Sequence, residues 1–386
     1  GAVFMPDIPD NKIKGVILYF HPTFFARTST PSFGMTDNSQ DNTLVSIFAT
    51  NGYIVVAPDY IGQGVDTTVP HPFILYPLVN ANDGLSLLKA TRHFFEQRGI
   101  KAKYPLFVTG FSEGGAYALW FSRLYQEQHQ FKKQVDKTHF KLTLVAPISG
   151  AYNLSNVTYN YLFDNISIWS KNKYKAYSSM VVAKLKPGLT AFAMLGYAYY
   201  NQNSNYDQVF MHDFFTMKCK WQTQNRCNYE GKNLSLLQLF NQKDDLEIVT
   251  KAVNAASFKY SNDSLFTSQT NNIAPLINLD ITENKDFINT FNAADIYYWH
   301  SNIPTTLIYL TKDSVVSPYN TEYAYRGMLD NHSTNLKIIG MDNALIKTKA
   351  FSYLPDFDID HPIALPYVTL IALKEFDAAV LQSREN

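Results

Sequence analysis

The chain has 386 residues, and its 33 Lys plus Arg balance its 33 Asp plus Glu to a formal net charge of zero. That balance argues against a basic field built for nucleic acid or a polybasic patch built for anionic lipid. The length is enough to bury a large core, either as one α/β domain with an insertion or as two domains. The 26 Tyr and 27 Phe predict broad apolar surfaces, in the core or around a substrate cavity.

Taken in chain order, the first clear element is the continuous apolar run 15–20, a buried strand that ends in His21-Pro22-Thr23-Phe24. Residues 54–60 form the next strand, turned outward by Gly62-Gln63-Gly64, with Asp59 expected to bind backbone N–H groups in that turn. From Asn82 or Asp83, either of which could cap it, a helix places Leu85, Leu88, Thr91 and Phe95 inward and stops at Gly99. Residues 106–108 are a strand that runs into Gly110-Phe111-Ser112-Glu113-Gly114-Gly115. Beyond it, Ala116, Leu119, Trp120 and Leu124 recur at helical spacing. Gly-x-Ser-x-Gly alone is a weak signal; between a strand and a helix it reads as a nucleophile elbow, where glycines allow a turn sharp enough to expose one serine oxygen.

After a charged, Gln-rich connection over 126–137, residues 142–147 supply another strand. Strand and helix alternating at this rhythm predict parallel crossovers in an open sheet covered on both faces. Ligands of such sheets bind beyond the carboxyl ends of the strands, where both the His21 loop and Ser112 fall. The rhythm stops at about residue 150. Segments of helical periodicity follow at 178–200, 234–240 and 246–258, and strands resume at 305–310. An excursion of that length predicts a subdomain. The expected organisation is a core over 1–150 and 303–386 with a helical cap, or lid, over 151–302. Cys219 and Cys227, the two cysteines, lie close enough in sequence for a local disulfide, which would mark an oxidising, secreted or periplasmic compartment with any signal peptide already removed. No apolar run reaches the length of a membrane span.

Past the strand at 305–310 comes Asp313, then a helix over 319–329, a last strand over 336–339, and His361 in a loop before a closing helix over 363–381. Serine is a poor nucleophile: acyl transfer needs an imidazole to take its proton and a carboxylate to hold that imidazole in the useful tautomer. The order Ser112, Asp313, His361 meets that need, with Asp342 as the runner-up acid. The oxyanion donors are expected to be the backbone N–H of Glu113 and a second one at Thr23 or Phe24, with His21 as a structural anchor. Asp356, Asp358 and Asp360 invite a calcium reading, but Phe357 and Ile359 intervene and the glycine of a tight calcium loop is missing, so no metal is expected.

The elbow Gly110–Gly115, the turn Ala57-Pro58-Asp59-Tyr60-x-Gly62-x-Gly64 and Asp313-x-Val315-Val316 resemble the α/β-hydrolase superfamily, and within it the secretory-lipase-like esterases. The resemblance covers 15–150 and 303–381. It implies an α/β-hydrolase fold and hydrolysis of a small-molecule or lipid carboxylic ester through an acyl-enzyme, without a cofactor. Two departures stand out: His21-Pro22 replaces the His-Gly usual in the oxyanion loop, and the cap matches no pattern of the family. Two other readings compete with an esterase. One is a serine exopeptidase, for which Asp244, Asp245 and Glu247 could hold a free amine; the other is a binding protein on a disused hydrolase scaffold.

Overall fold

Parallel strands buried on both faces need apolar side chains at every position, and two runs of this chain, 16–20 and 53–57, meet that demand without a break. In the computed structural model, which describes residues 1–24, 29–34, 40–66, 69–100, 102–163, 189–190, 192–201, 220–223, 226–229, 232–235, 279–313, 315–342 and 361–385, they are β2 and β3. The core elements in order are β1 (Ala2–Phe4), β2 (Gly15–Phe20), α1 (Gln40–Thr50), β3 (Tyr53–Ala57), α2 (Pro77–Gln97), β4 (Tyr104–Phe111), α3 (Glu113–Glu127), α4 (His129–Lys137) and β5 (Phe140–Ile148). The excursion contributes α5 (Tyr159–Phe163), α6 (192–200), β6 (Lys220–Thr223), β7 (Arg226–Tyr229), β8 (Lys232–Ser235) and α7 (Lys285–Ala293). The core then resumes with β9 (Thr305–Leu310), α8 (Pro318–Asp330), β10 (Leu336–Met341) and α9 (His361–Glu385).

Seven strands make one sheet in the order β1-β3-β2-β4-β5-β9-β10. Only β1 is antiparallel to its neighbour. Strand alternation sorts the core into two layers. Val16, Leu18 and Phe20 of β2 pack with Leu85, Leu88 and Phe95 of α2 and Leu119 of α3, while Ile17 and Tyr19 pack with Phe48 of α1 and Phe376 of α9. The chain leaves β2 for β3 on one side and then returns to β4 on the other. That reversal puts the switch point at the carboxyl ends of β2 and β4. This is the α/β-hydrolase fold, as expected.

Several boundaries differ from the expectation, each for a local reason. α2 starts at Pro77, whose fixed φ suits the first turn. Asp83 is therefore inside the helix and accepts a bond from Ile61 N at 2.8 Å, rather than capping. α4 occupies the segment expected as a connection, because Phe131 and Val135, four apart, bury one side of it. His361 is the first residue of α9 rather than part of a loop, since Pro362 is tolerated in a helix's first turn.

The excursion is not purely helical. Leu234, expected in a helix over 234–240, lies on β8 of an antiparallel three-stranded sheet. Tyr229 pairs with Lys232, so only Glu230 and Gly231 separate the strands, and the ladder outcompetes helical periodicity. Cys227 is on β7. Cys219, and with it the expected disulfide, lies outside the described residues, as do the expected helix over 246–258, the acidic Asp244, Asp245 and Glu247, and Asp356, Asp358 and Asp360. Among the described residues no helix is long and apolar enough to cross a membrane.

Candidate active site

β4 ends at Phe111 and α3 begins at Glu113, so a single residue makes the turn between them. Ser112 makes it at φ 58° and ψ −118°, a conformation that costs a non-glycine residue about 1–3 kcal/mol. Two backbone bonds hold it there, Ser112 N to Ile148 O at 2.9 Å and Gly115 N to Ser112 O at 3.0 Å. A Cβ on Gly114 would run into the carbonyl oxygen of Phe20, the last residue of β2. Glycine there lets the first turn of α3 press against the start of the His21 loop.

Asp313 follows β9. Its Oδ1 accepts from Val315 N at 2.9 Å and Val316 N at 2.8 Å, and its Oδ2 lies 2.6 Å from His361 Nδ1. An ionised carboxylate only accepts, so Nδ1 carries the proton and Nε2 is left to act as the base of the neutral ring. The His361 ring stacks on Phe111, the residue before Ser112, with centroids 4.4 Å apart. Ser112, Asp313 and His361 are 8%, 5% and 5% exposed, so the group is shielded from bulk water. Asp342, the runner-up acid, is half-exposed and lies 3.9 Å from Lys312 Nζ at the surface.

Ser112 opens onto a cleft with about 450 Å³ of free space that reaches solvent. Thr23 and Glu113 flank the serine there, and Phe73, Leu162 and Val315 make much of the wall apolar. Of the two candidates for the second oxyanion donor, Thr23 is on this cleft. Phe24 turns its ring onto His21, with centroids 4.7 Å apart, and its carbonyl accepts from Gln63 Nε2 at 2.9 Å. His21 anchors the loop as expected. It is wholly buried between Phe24 and Tyr60, and burial pushes its pKa down to about 4. Its ring nitrogens face Pro22 O at 2.6 Å and Asp59 O at 3.3 Å; the single proton of the neutral ring serves the shorter contact. Asp59 binds a backbone N–H, but that of Ser32 at 2.9 Å in a different loop rather than one in its own turn, where Asp83 and Asp66 take the N–H groups of Ile61 and Gly62.

Two features beside Ser112 were not legible in the sequence. Asn320 of α8 accepts from the N–H groups of Tyr152 and Asn153 at 3.1 and 2.9 Å, which ties the start of the excursion to the core. His71 meets the Glu113 carboxyl 2.5 Å away across the fold. Burial would raise Glu113, but the His71 charge and hydrogen bonds from His71, Tyr117 and Thr23 hold it below the ordinary carboxylate value. Only Tyr117, four residues along α3, could have been placed near Glu113 from sequence spacing.

No family model matches the chain, and no curated protein matches it by sequence. Solved structures do resemble it. A Legionella pneumophila protein aligns over 98% of this chain and 82% of its own at 16% identity, with a TM-score of 0.65. The rice cell wall degrading esterase LipA from Xanthomonas oryzae aligns over 96% and 84% at 19% identity, with a TM-score of 0.63. Candida antarctica lipase A in its closed state aligns over 98% and 72% at 12% identity, with a TM-score of 0.51. At these identities the likeness establishes the fold.

Proposed function

We propose that this chain, an α/β-hydrolase by its fold, is a serine carboxylic-ester hydrolase that works through an acyl-enzyme. The observation that carries the proposal is the 2.6 Å contact between Asp313 and His361, with the imidazole stacked on Phe111, the residue before a serine held in a strained turn. In the first half-reaction Ser112 Oγ attacks the ester carbonyl and His361 Nε2 takes its proton. Asp313 keeps Nδ1 protonated and stabilises the imidazolium that forms. Backbone N–H groups of Glu113 and Thr23 receive the oxyanion. Collapse of the tetrahedral intermediate breaks the bond to the alcohol oxygen, which leaves with the proton from His361. Water then attacks the acyl-Ser112 ester by the same route and releases the acid.

An apolar acyl group suits the cleft, because residues of the 151–302 excursion, Tyr161, Leu162 and Leu189 among them, wall it together with Phe73 and Val315. In this reading the excursion acts as the cap. The Xanthomonas neighbour is an esterase and the Candida neighbour a lipase, which fits the same chemistry. A fluorophosphonate should label the wild-type chain and not Ser112→Ala, and p-nitrophenyl esters should be turned over with a preference among acyl lengths. Absence of labelling, with negligible turnover from acetyl to long-chain esters, would remove the proposal.

A further inference from the structure

A second imidazole–carboxyl pair is buried beside Ser112, and the steps above leave its side chains unused. His71 Nδ1 lies 3.0 Å from Ile61 O, its Nε2 lies 2.5 Å from Glu113 Oε1, and Tyr117 Oη donates to the same Oε1 at 2.6 Å. His71, Glu113 and Tyr117 are 5%, 2% and 0% exposed, so solvent does not screen them. The proton inventory follows from the partners. A carbonyl only accepts, so Nδ1 carries hydrogen. The short Nε2 contact then needs one more proton between ring and carboxyl, as imidazolium against carboxylate or as imidazole against carboxylic acid. In both forms the pair has no net charge.

That neutrality matters because of where Glu113 stands. Its backbone N–H is the oxyanion donor of the proposed mechanism, and its side chain adjoins Thr23. An uncompensated carboxylate there would set a fixed negative charge against the negative charge that develops on the substrate oxygen, in a site where such fields are strong. We propose that His71 is a positioning residue for hydrolysis at Ser112: it supplies the proton that cancels the Glu113 charge and pins that carboxyl beside the oxyanion loop. The inference rests on the reading of Ser112 as the nucleophile. The other titratable groups facing the pair are Tyr117 on the same helix and Tyr60, stacked on His71 with centroids 5.6 Å apart. His21 lies beyond Glu113, and Asp66 and Asp83 bind the N–H groups of Gly62 and Ile61 at the turn behind His71.

The test is His71→Gln, which can still donate one hydrogen bond but carries no charge. At pH 8 its kcat on a p-nitrophenyl ester should fall on the order of 10²-fold, with KM little changed, as expected for a charge acting on the transition state. The deficit should shrink as pH falls, because burial then raises Glu113 against only the hydrogen bonds of Tyr117 and Thr23, and it takes up its own proton. His71→Gln/Glu113→Gln should recover at least about tenfold of the loss, since neither residue is then charged. A deficit equal at every pH and unrelieved in the double variant would overturn the proposal in favour of simple packing. Should His71→Gln fail to fold, proton NMR of the wild-type chain decides. A far-downfield imidazole proton that vanishes in Glu113→Gln supports the shared-proton pair, and its absence overturns it. Fluorophosphonate labelling separates the two levels: a wild-type chain that does not label sinks the role of Ser112, whereas a labelled chain without the pH-dependent deficit sinks only the role of His71.

Discussion

Replacing Asp313 by Asn tests the candidate triad at its carboxylate. In the wild-type chain Asp313 Oδ1 is occupied by two backbone N–H groups, at 2.9 and 2.8 Å, and only Oδ2 reaches His361, at 2.6 Å. The asparagine oxygen should keep both backbone bonds, because they anchor the turn after β9. Its NH₂ then faces His361 Nδ1 and can only donate. The imidazole must answer with a lone pair at Nδ1, which moves its proton to Nε2 and leaves nothing to accept the proton of Ser112. The fold is expected to survive, since the new amide is nearly isosteric and fully bonded. The chemistry is not: the same tautomer error in a serine protease lowers kcat by about 10⁴, and four decades at 1.36 kcal/mol each come to about 5.4 kcal/mol of barrier. The assay is the rate of p-nitrophenyl butyrate turnover together with the rate of fluorophosphonate labelling, with circular dichroism to verify folding. Asp342→Asn is the control and should remain within about twofold, since Asp342 faces Lys312 at the surface. Asp313→Asn retaining more than a tenth of wild-type turnover, or Asp342→Asn producing the larger loss, would refute the assignment.

Two further predictions concern the frame around the site. Burial pushes Asp83 up to about 6 from its usual 3.8, so between those values the folded chain holds a proton that the unfolded chain has released, and stability falls as pH rises through about 6. Asp83→Asn, which keeps the acceptor for Ile61 N, should match the wild type below pH 4 and exceed it above pH 7 by up to about 3 kcal/mol at 1.36 kcal/mol per pH unit; a pH series of thermal melts with a constant offset would contradict this. Asn320→Ala strands the buried N–H groups of Tyr152 and Asn153 and should cost about 2–4 kcal/mol in urea unfolding. Asn320→Asp, which keeps the acceptor, should lose less, and a loss below about 1 kcal/mol for the alanine variant would show that those groups find another partner.

Local patterns carried most of the core. The apolar runs of β2, β3, β4, β5 and β9, the glycines around Ser112, and the inward positions Leu85, Leu88, Thr91 and Phe95 of α2 were legible because each depends on neighbours within a few residues. α1 and α4 were missed, since each shows few buried apolar residues among polar ones: Val45, Phe48 and Ala49 among the described side chains of α1, and Phe131 and Val135 in α4. Leu234 misled in the opposite direction: its apolar neighbours suggested a helix, but a strand forms because the register with β7 leaves only Glu230-Gly231 for the connection.

Sequence alone determined the elbow, the order of Ser112, Asp313 and His361, and the alternation that makes the sheet parallel, because these follow from backbone sterics and from the chemistry each side chain can perform. Only the tertiary structure decided what converges from a distance: the ring of His361 on Phe111, Asn320 under the start of the excursion, and His71 against Glu113. Partners forty or more residues apart leave no periodic trace in the chain. Which buried polar group meets which is set by the packing of helices on the sheet, and that packing is the sum of many apolar contacts made mostly by other residues.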